Sequence, residues 1–260
     1  LDEVSMWDQG LTDSNVTSIY NSGVPTDVSA YSTKSLEFDG VDDYINCGDL
    51  NTLVSAKSKL SISLWVNIAD VSIVNRVCGK ILQGGGAFTT AWISIVSSGT
   101  DLLYIIANGA VSYGQAAGVL TANVWHHIVC VFDGTQTLDA DKMQIYLNGV
   151  SQSLTFTSPL PTTTFNFTPE TEHSPFKNWH LGTDGYNITA SEFGGSMDEY
   201  GLFSDIALTQ ADVTSIYNSG KPADISSFNP DVWYRMGEDA IYDGTTTEFT
   251  LPDSSINSNS

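Results

Sequence analysis

"LSISLWVNI", residues 60–68, sets Leu60, Ile62, Leu64, Val66 and Ile68 on one side of an extended chain and Ser61, Ser63, Trp65 and Asn67 on the other. Successive side chains of a strand point to opposite faces, so this alternation predicts a β-strand with one face in a core. "AWISIVSS" (91–98), "LLYIIANG" (102–109), "HHIVCVFDG" (126–134) and "MQIYLNGVSQ" (143–152) share the style, each rich in β-branched or aromatic residues. Asn108-Gly109, Asp133-Gly134 and Asn148-Gly149 punctuate them. Asn and Gly both tolerate the positive φ of a type I′ turn, so "IYLNGVSQSLTF" (145–156) reads as two antiparallel strands with Asn148-Gly149 at the tip. Many short strands without intervening helical pattern predict an all-β, two-sheet antiparallel sandwich. The Pro- and Thr-rich stretch 157–176 reads as a long irregular loop on its outside.

One phrase is written twice. "LTDSNVTSIYNSGVPTDVSAY" (11–31) returns as "LTQADVTSIYNSGKPADISSF" (208–228). In the second copy Leu208, Val213, Ile216 and Tyr217 fall at helical spacing, with Thr209 as N-cap and Gly220 as the stop. This predicts a short C-terminal helix that plugs an edge of the sandwich. "LDEVSMWDQGLT" (1–12) also aligns with "MDEYGLFSDIALT" (197–209), so the first thirty or so residues repeat the end of a domain and not its beginning. The expected organisation is an array: residues 1–31 close a preceding module, 36–228 form one module, and 229–260 lead toward another.

Of 260 residues, 41% are hydrophobic and only 15% charged, yet 30 Asp+Glu against 9 Lys+Arg give a net charge of -21. Such a surface repels nucleic acid and anionic membranes, and no apolar run approaches the ~20 residues of a membrane span. The N-terminal Leu reads as a cut end, so missing targeting signals do not fix the compartment. Three cysteines allow at most one bridge: Cys130, inside an apolar run, reads as a buried free thiol, and pairing of Cys47 with Cys78 is left open.

"SLEFDGVDDYINCGD" (35–49), "LSISLWVNI", "VWHHIVCVFDG" (124–134), "MQIYLNGV" (143–150) and "FGGSMDEYGLFSDIALTQADVTSIYNSG" (193–220), in this order and spacing, resemble the LamG-like, concanavalin A-type jelly-roll domains. The resemblance covers roughly 35–220 and implies a concanavalin A-like jelly roll. Similar domains with a "SIYNSG" ending occur in marine bacterial surface proteins and virus structural proteins, which implies an extracellular or virion-surface location.

Asp39-Gly-Val-Asp-Asp-Tyr44 is the densest candidate site. Calcium takes 6–8 oxygen ligands, and three Asp around a Gly supply several of them. The resemblance implies a structural calcium held by the Gly40 carbonyl, Asp42 or Asp43, and Asp198; the alternative is a turn with a solvated flank. Glu37-Phe-Asp39-Gly-Val-Asp42 also approximates the paired carboxylates of jelly-roll glycosidases, about 5–5.5 Å apart for retention. However, Gly40 interrupts the strand and no second Glu follows. His126 and His127 are adjacent on a strand, so they face opposite ways and share no metal; one caps the core and the other faces out. For sugar rings the aromatic candidates are Trp92, Tyr104, Tyr113, Trp179 and Tyr186, with Asn108, Asn178 and Asp184 as polar partners. "KNWHLGTDGYN" (177–187) reads as the best surface cluster, which selects Asn178, Trp179, Asp184 and Tyr186. No nucleophile–base pair or phosphate loop is legible, and "QGGGAF" (83–88) reads as a hairpin tip. The expectation is a non-enzymatic domain for attachment by glycan binding, in contact with neighbouring modules of its assembly; the alternative is a structural spacer.

Overall fold

A computed structural model describes residues 34–81, 91–157, 159–167, 178–184, 192–237, 240–243 and 248–256. The first copy of the repeated phrase, Tyr186 and the Gly-rich stretch 83–88 lie outside these residues. In chain order the strands begin β1 (Leu36–Asp39), β2 (Ile45–Asn46), β3 (Lys59–Ile68), β4 (Val74–Ile81), β5 (Ala91–Ser98) and β6 (Asp101–Asn108). They continue β7 (Tyr113–Ala116), β8 (Trp125–Asp133), β9 (Met143–Leu147), β10 (Val150–Ser151), β11 (Thr155–Thr157) and β12 (His180–Leu181). The last are β13 (Gly194–Ser204), β14 (Val232–Tyr234), β15 (Ile241–Asp243) and β16 (Glu248–Thr250). Helical turns occupy α1 (Asn51–Val54), α2 (Asp139–Lys142) and α3 (Gln210–Tyr217). No helix among the described residues is long and apolar enough to cross a membrane.

Two antiparallel sheets carry the fold. The first runs β1-β13-β3-β8-β9-β10, with β14 also paired to β13; the second runs β11-β7-β6-β5-β4-β12-β2. One core lies between them and takes the alternate residues read from sequence, Leu60, Ile62, Leu64, Val66 and Ile68 from β3 among them. The Asn148-Gly149 turn forms as expected, with φ of 51 and 79 joining β9 to β10. Beyond it the chain leaves that sheet, and Thr155–Thr157 pairs with β7 across the sandwich.

The serine side of β3 is also buried. A second apolar cluster covers it, in which Val213 and Ile216 of α3 meet Val129, Val131, Tyr146 and Phe203. The Ser61 hydroxyl donates to the Ile206 carbonyl (2.8 Å) and accepts from the Leu208 amide (3.0 Å), fixing the entry to the helix. Thr209 caps α3 with a reciprocal box to Asp212. The helix therefore roofs the outer face of the first sheet and does not plug an edge. It ends at Asn218, in the left-handed conformation, two residues before the Gly220 stop expected from sequence.

Three further expectations change. Leu160 and Phe167 enter the core while Pro159, Thr162 and Asn166 stay exposed, so the described part of the 157–176 loop is anchored into the sandwich and not wholly outside it. Cys47 and Cys78 are free. Their neighbours Asn46 and Gly79 pair with opposite sides of His180, so β12 stands between them. Two strand spacings, about 9–10 Å, exceed the reach of a disulfide. Finally, the boundary at 228 does not hold. β14 pairs Val232, Trp233 and Tyr234 with Leu202, Gly201 and Tyr200 of β13, and Val232, Tyr234 and Met236 lie in the main core. The β14 stretch of the lead-in segment is thus part of this sandwich, pinned further by Asp253 accepting from the Trp233 amide (2.8 Å), while β15 and β16 pair in a two-stranded sheet of their own.

A chain truncated after Phe228 should consequently lose several kcal/mol of stability, since the buried side chains of Val232, Trp233, Tyr234 and Met236 and a strand pairing go with it. Urea unfolding reads this directly, and an unchanged midpoint would restore the boundary at 228.

Candidate functional site

The outer face of the second sheet is built by the register. Asn46, His180, Gly79, Ser94, Ile105 and Tyr113 stand side by side across β2, β12, β4, β5, β6 and β7. Their neighbours one residue along, such as Ile45, Leu181, Cys78 and Ile95, point into the core or against it. At the β2 edge, exposed Tyr44 meets His180 edge-on at 5.6 Å between centroids. Exposed Asn46 accepts from the Asn178 side-chain amide (2.9 Å). His180 itself is buried, its Nδ1 has no hydrogen-bond partner, and burial together with Lys80 lowers its pKa to about 4, so it is neutral.

Further along the same face, Asp184 is buried and one carboxylate oxygen receives both the Arg76 guanidinium (2.5 Å) and the Trp92 indole N–H (3.0 Å). The Arg76 guanidinium lies 5.7 Å from the Trp92 ring centroid. Arg76 of β4 sits opposite Val96 of β5, four residues along from Trp92, and the two side chains reach each other over small residues. One is Gly79, where an added Cβ would lie 2.3 Å from the Ile93 carbonyl oxygen; the other is Ser94, fully buried. The result is a half-buried indole held by a buried ion pair on a face whose middle (Ile81, Ser94, Ile105 and Ala107) is buried, with Tyr44 and Asn46 exposed at the β2 edge.

Trp179 does not belong to this surface. It is fully buried in the main core, with its backbone bonded to Cys47 and Gly48. Gly and Asn in the flanking sequence suggested exposure, but the short strand β12 turns the indole inward. Of the four glycan candidates, Asn178 and Asp184 are on the outer face, Asp184 as its buried anchor, while Trp179 is structural and Tyr186 lies outside the described residues. Tyr44 and His180 were not selected as sugar contacts. The alternation Tyr44-Ile45-Asn46 around a core isoleucine was the available signal.

The acidic turn forms at the end of β1. Asp39, Asp42 and Asp43 are exposed, and each places a carboxylate oxygen within 4.8 Å of the others. Asp39 accepts from the amides of Val41 (2.8 Å) and Asp42 (3.3 Å), and Asp43 accepts from that of Asp39 (2.9 Å). Gly40 has φ +75 and packs so closely on Gly194 that a Cβ would come within 3.2 Å of its Cα. Asp198 is not brought here. Asp39 pairs with Gly194, so Asp198 lies four residues farther along β13, about 13 Å away, opposite Trp65. Its carboxylate accepts from the Glu199 amide instead (2.8 Å). The acid that faces the turn is Glu192, two residues before Gly194 where β13 begins. It is buried, its Oε1 has no hydrogen-bond partner, and burial first, with Asp42 and Asp39 adding, raises its pKa against the opposing pull of Arg76.

The hydrolase pattern does not assemble: Glu37 and Asp39 share β1, but the Gly40 turn takes Asp42 off the strand. Ser63 Oγ and His127 Nε2 do lie 3.0 Å apart, yet both are buried beneath a stack of Trp65, His127 and Tyr217. Neither His126 nor His127 faces out, since α3 roofs one side of β8 and the core covers the other; His126 bonds to Thr121. Burial lowers the His127 pKa to about 3, so the pair is a packing contact.

Residues 39–214, about two thirds of the chain, match the family model of the concanavalin A-like lectin/glucanases superfamily (Laminin_G_3). The chain belongs to this family. A putative carbohydrate binding protein from Bacteroides ovatus aligns at TM-score 0.59 and 16% identity, over 86% of this chain and 56% of its own; this chain thus spans little more than half of that relative. Domain 4 of the arabinanase AbnA from Geobacillus stearothermophilus, in complex with arabinotriose, aligns at 0.52 and 20% identity, over 70% and 76%. The CBM40 of the Ruminococcus gnavus IT-sialidase, bound to α2,3-sialyllactose, aligns at 0.51 and 12% identity, over 71% and 97%. At these identities the likeness is one of fold. No curated protein sequence matches the chain.

Two measurements follow from the burial. Trp179→Ala should cost about 3–5 kcal/mol in urea unfolding, whereas Tyr44→Ala should stay within about 0.5 kcal/mol. For His127 the folded pKa lies below the ordinary 6.5, so folding favours the neutral ring. Its contribution is complete above pH ~6.5 and shrinks as pH falls toward the folded value. The urea midpoint should therefore drop between pH 7 and pH 5; a flat profile there would contradict the buried neutral imidazoles.

Proposed function

We propose that this chain is a non-catalytic attachment module that binds glycans on the outer face of its second sheet, in an extracellular or virion-surface protein. The observation that carries this reading is the difference between the two outer faces. α3 roofs the first, while the second presents Tyr44, the Asn46–Asn178 amides and the edge of the Trp92–Arg76–Asp184 cluster. Aromatic rings take the apolar faces of sugars and amides pair with their hydroxyls. Two of the fold relatives are complexes with oligosaccharides, which supports the same use of the fold.

The acidic turn is the place for a structural calcium. Asp39, Asp42 and Asp43 with the Gly40 carbonyl would hold the ion, and Glu192 takes the part first given to Asp198. Three carboxylates this close repel one another, and a cation relieves that cost. A spacer role in a modular array is the second reading. It is favoured by the repeat of residues 1–31 in 198–228 and would use neighbouring modules of the assembly as partners.

A broad glycan panel, probed with calcium and with chelator, tests the first reading. Binding should weaken about tenfold in Tyr44→Ala while its unfolding curve is retained. A folded protein silent on the whole panel would leave the spacer reading. Chelation should also lower the melting temperature, and Asp42→Asn should remove that response; identical melts with and without chelator would rule out the ion.

A further inference from the structure

We infer that the glycan bound by the second sheet is uncharged, built of neutral hexose or pentose units and not of sialic acid, uronate or sulfated sugar. This rests on the glycan-binding reading above and specifies its ligand.

The argument is the location of every basic side chain in the described residues. An anionic sugar is recognised by Arg or Lys placed to pair with its carboxylate or sulfate. On the outer face of the second sheet the only such side chain among the described residues is Arg76. Lys80 of β4 points the other way: its register with Ile93 turns it inward, where it donates to Asn51 (2.5 Å) and lies 4.8 Å from the Phe167 ring centroid. Lys57, Lys59 and Lys142 pair with Asp205, Asp133 and Asp139 around the first sheet. Arg235 pairs with Glu199 beside Trp233, also on that sheet. Lys34 borders Gly237 at the start of β1, and Lys221 follows α3.

Arg76 is already committed. Asp184, whose side chain is fully buried, holds it at 2.5 Å, and Glu192 is a near neighbour, joined to Arg76 by a backbone β-bridge and close enough to feel its charge. An incoming sugar acid that took Arg76 would strip a buried carboxylate of its partner, a costly exchange. Arg76, Asp184 and Glu192 together leave the cluster without positive charge, and the chain's -21 adds long-range repulsion. What the face offers beside the carboxylates of Asp184 and Asp101, the latter already bonded to the Gln115 amide (2.5 Å), is uncharged: the amides of Asn46 and Asn178 and the rings of Tyr44, Tyr113 and Trp92. These groups match hydroxyls and ring faces.

The test is calorimetric titration of the whole chain with neutral probes (arabinan, laminarin and mannan oligosaccharides) and acidic ones (sialyllactose, alginate and sulfated fucan oligosaccharides). It is run at about 50 and 500 mM NaCl, with calcium and with chelator. The inference expects at least one neutral probe to bind about tenfold or more tighter than any acidic probe, with little change between the two salt conditions. Tight binding of an acidic probe would overturn it while leaving glycan binding intact. That holds equally where chelator removes the binding, through a bridging cation, or where Lys177→Ala removes it, through the lysine next to Asn178 outside the described residues. Silence toward every probe would overturn the glycan reading and this inference with it. Asp184→Asn gives a second readout. It releases Arg76, so a variant that keeps its fold by circular dichroism should gain affinity for an acidic probe about tenfold. A folded variant with no gain would count against Arg76 as the gate.

Discussion

Strand β3 is buried on both faces although only one of them is apolar, and much of the molecule follows from that constraint. Leu60, Ile62 and Leu64 enter the core between the sheets. Ser61, Ser63 and Trp65 face the other way, where polar groups left unbonded would each cost about 1–3 kcal/mol. The hydroxyls are satisfied by what covers them: Ser61 by Ile206 and Leu208, Ser63 by His127. The cover is the segment from Ile206 through α3, which is why the phrase that encodes it is so sharply written. With the first sheet roofed in this way, the second sheet keeps Tyr44 and Asn46 exposed at its β2 edge and Trp92, Tyr113 and Asn178 half-buried on its outer side, around a buried middle of Ile81, Ser94, Ile105 and Ala107.

The outer side of the second sheet is organised by one buried ion pair. Asp184 holds Arg76 and the Trp92 indole together, and the small residues Gly79 and Ser94 leave the space in which they meet. A buried pair is a weak source of stability but a strong source of orientation, because neither partner can leave without exposing the other. It fixes the indole and takes up the one Arg or Lys that the described residues place on this face. At the end of β1, Gly40 and Gly194 approach so closely that only glycine fits at 40 without displacement, and this folds three aspartates into one turn against Glu192.

The alternation in 60–68, the Asn148-Gly149 hairpin and the Thr209 cap were legible because each is a local rule acting on neighbouring residues. What sequence could not supply was register and layer. Trp179 and Tyr44 both sit among Gly and Asn residues, yet one is core and the other exposed; the difference lies in a two-residue strand whose phase the surrounding residues do not declare. Asp198 resembled a partner for Asp42 by motif, but antiparallel pairing sets it four residues off, and Glu192 takes the nearer place. β14 looked like a lead-in because its pairing partner lies thirty residues back, across α3.

The claim on which this account turns is that ligand meets the second sheet. Nuclear magnetic resonance titration with a bound oligosaccharide tests it most directly, since each face has its own reporters. The account predicts shifts at the Asn46 and Asn178 side-chain amides, His180 and the Trp92 indole, with α3 and the Trp65–His127–Tyr217 stack unmoved. Shifts confined to α3, or to the Asp39–Asp43 turn, would contradict it.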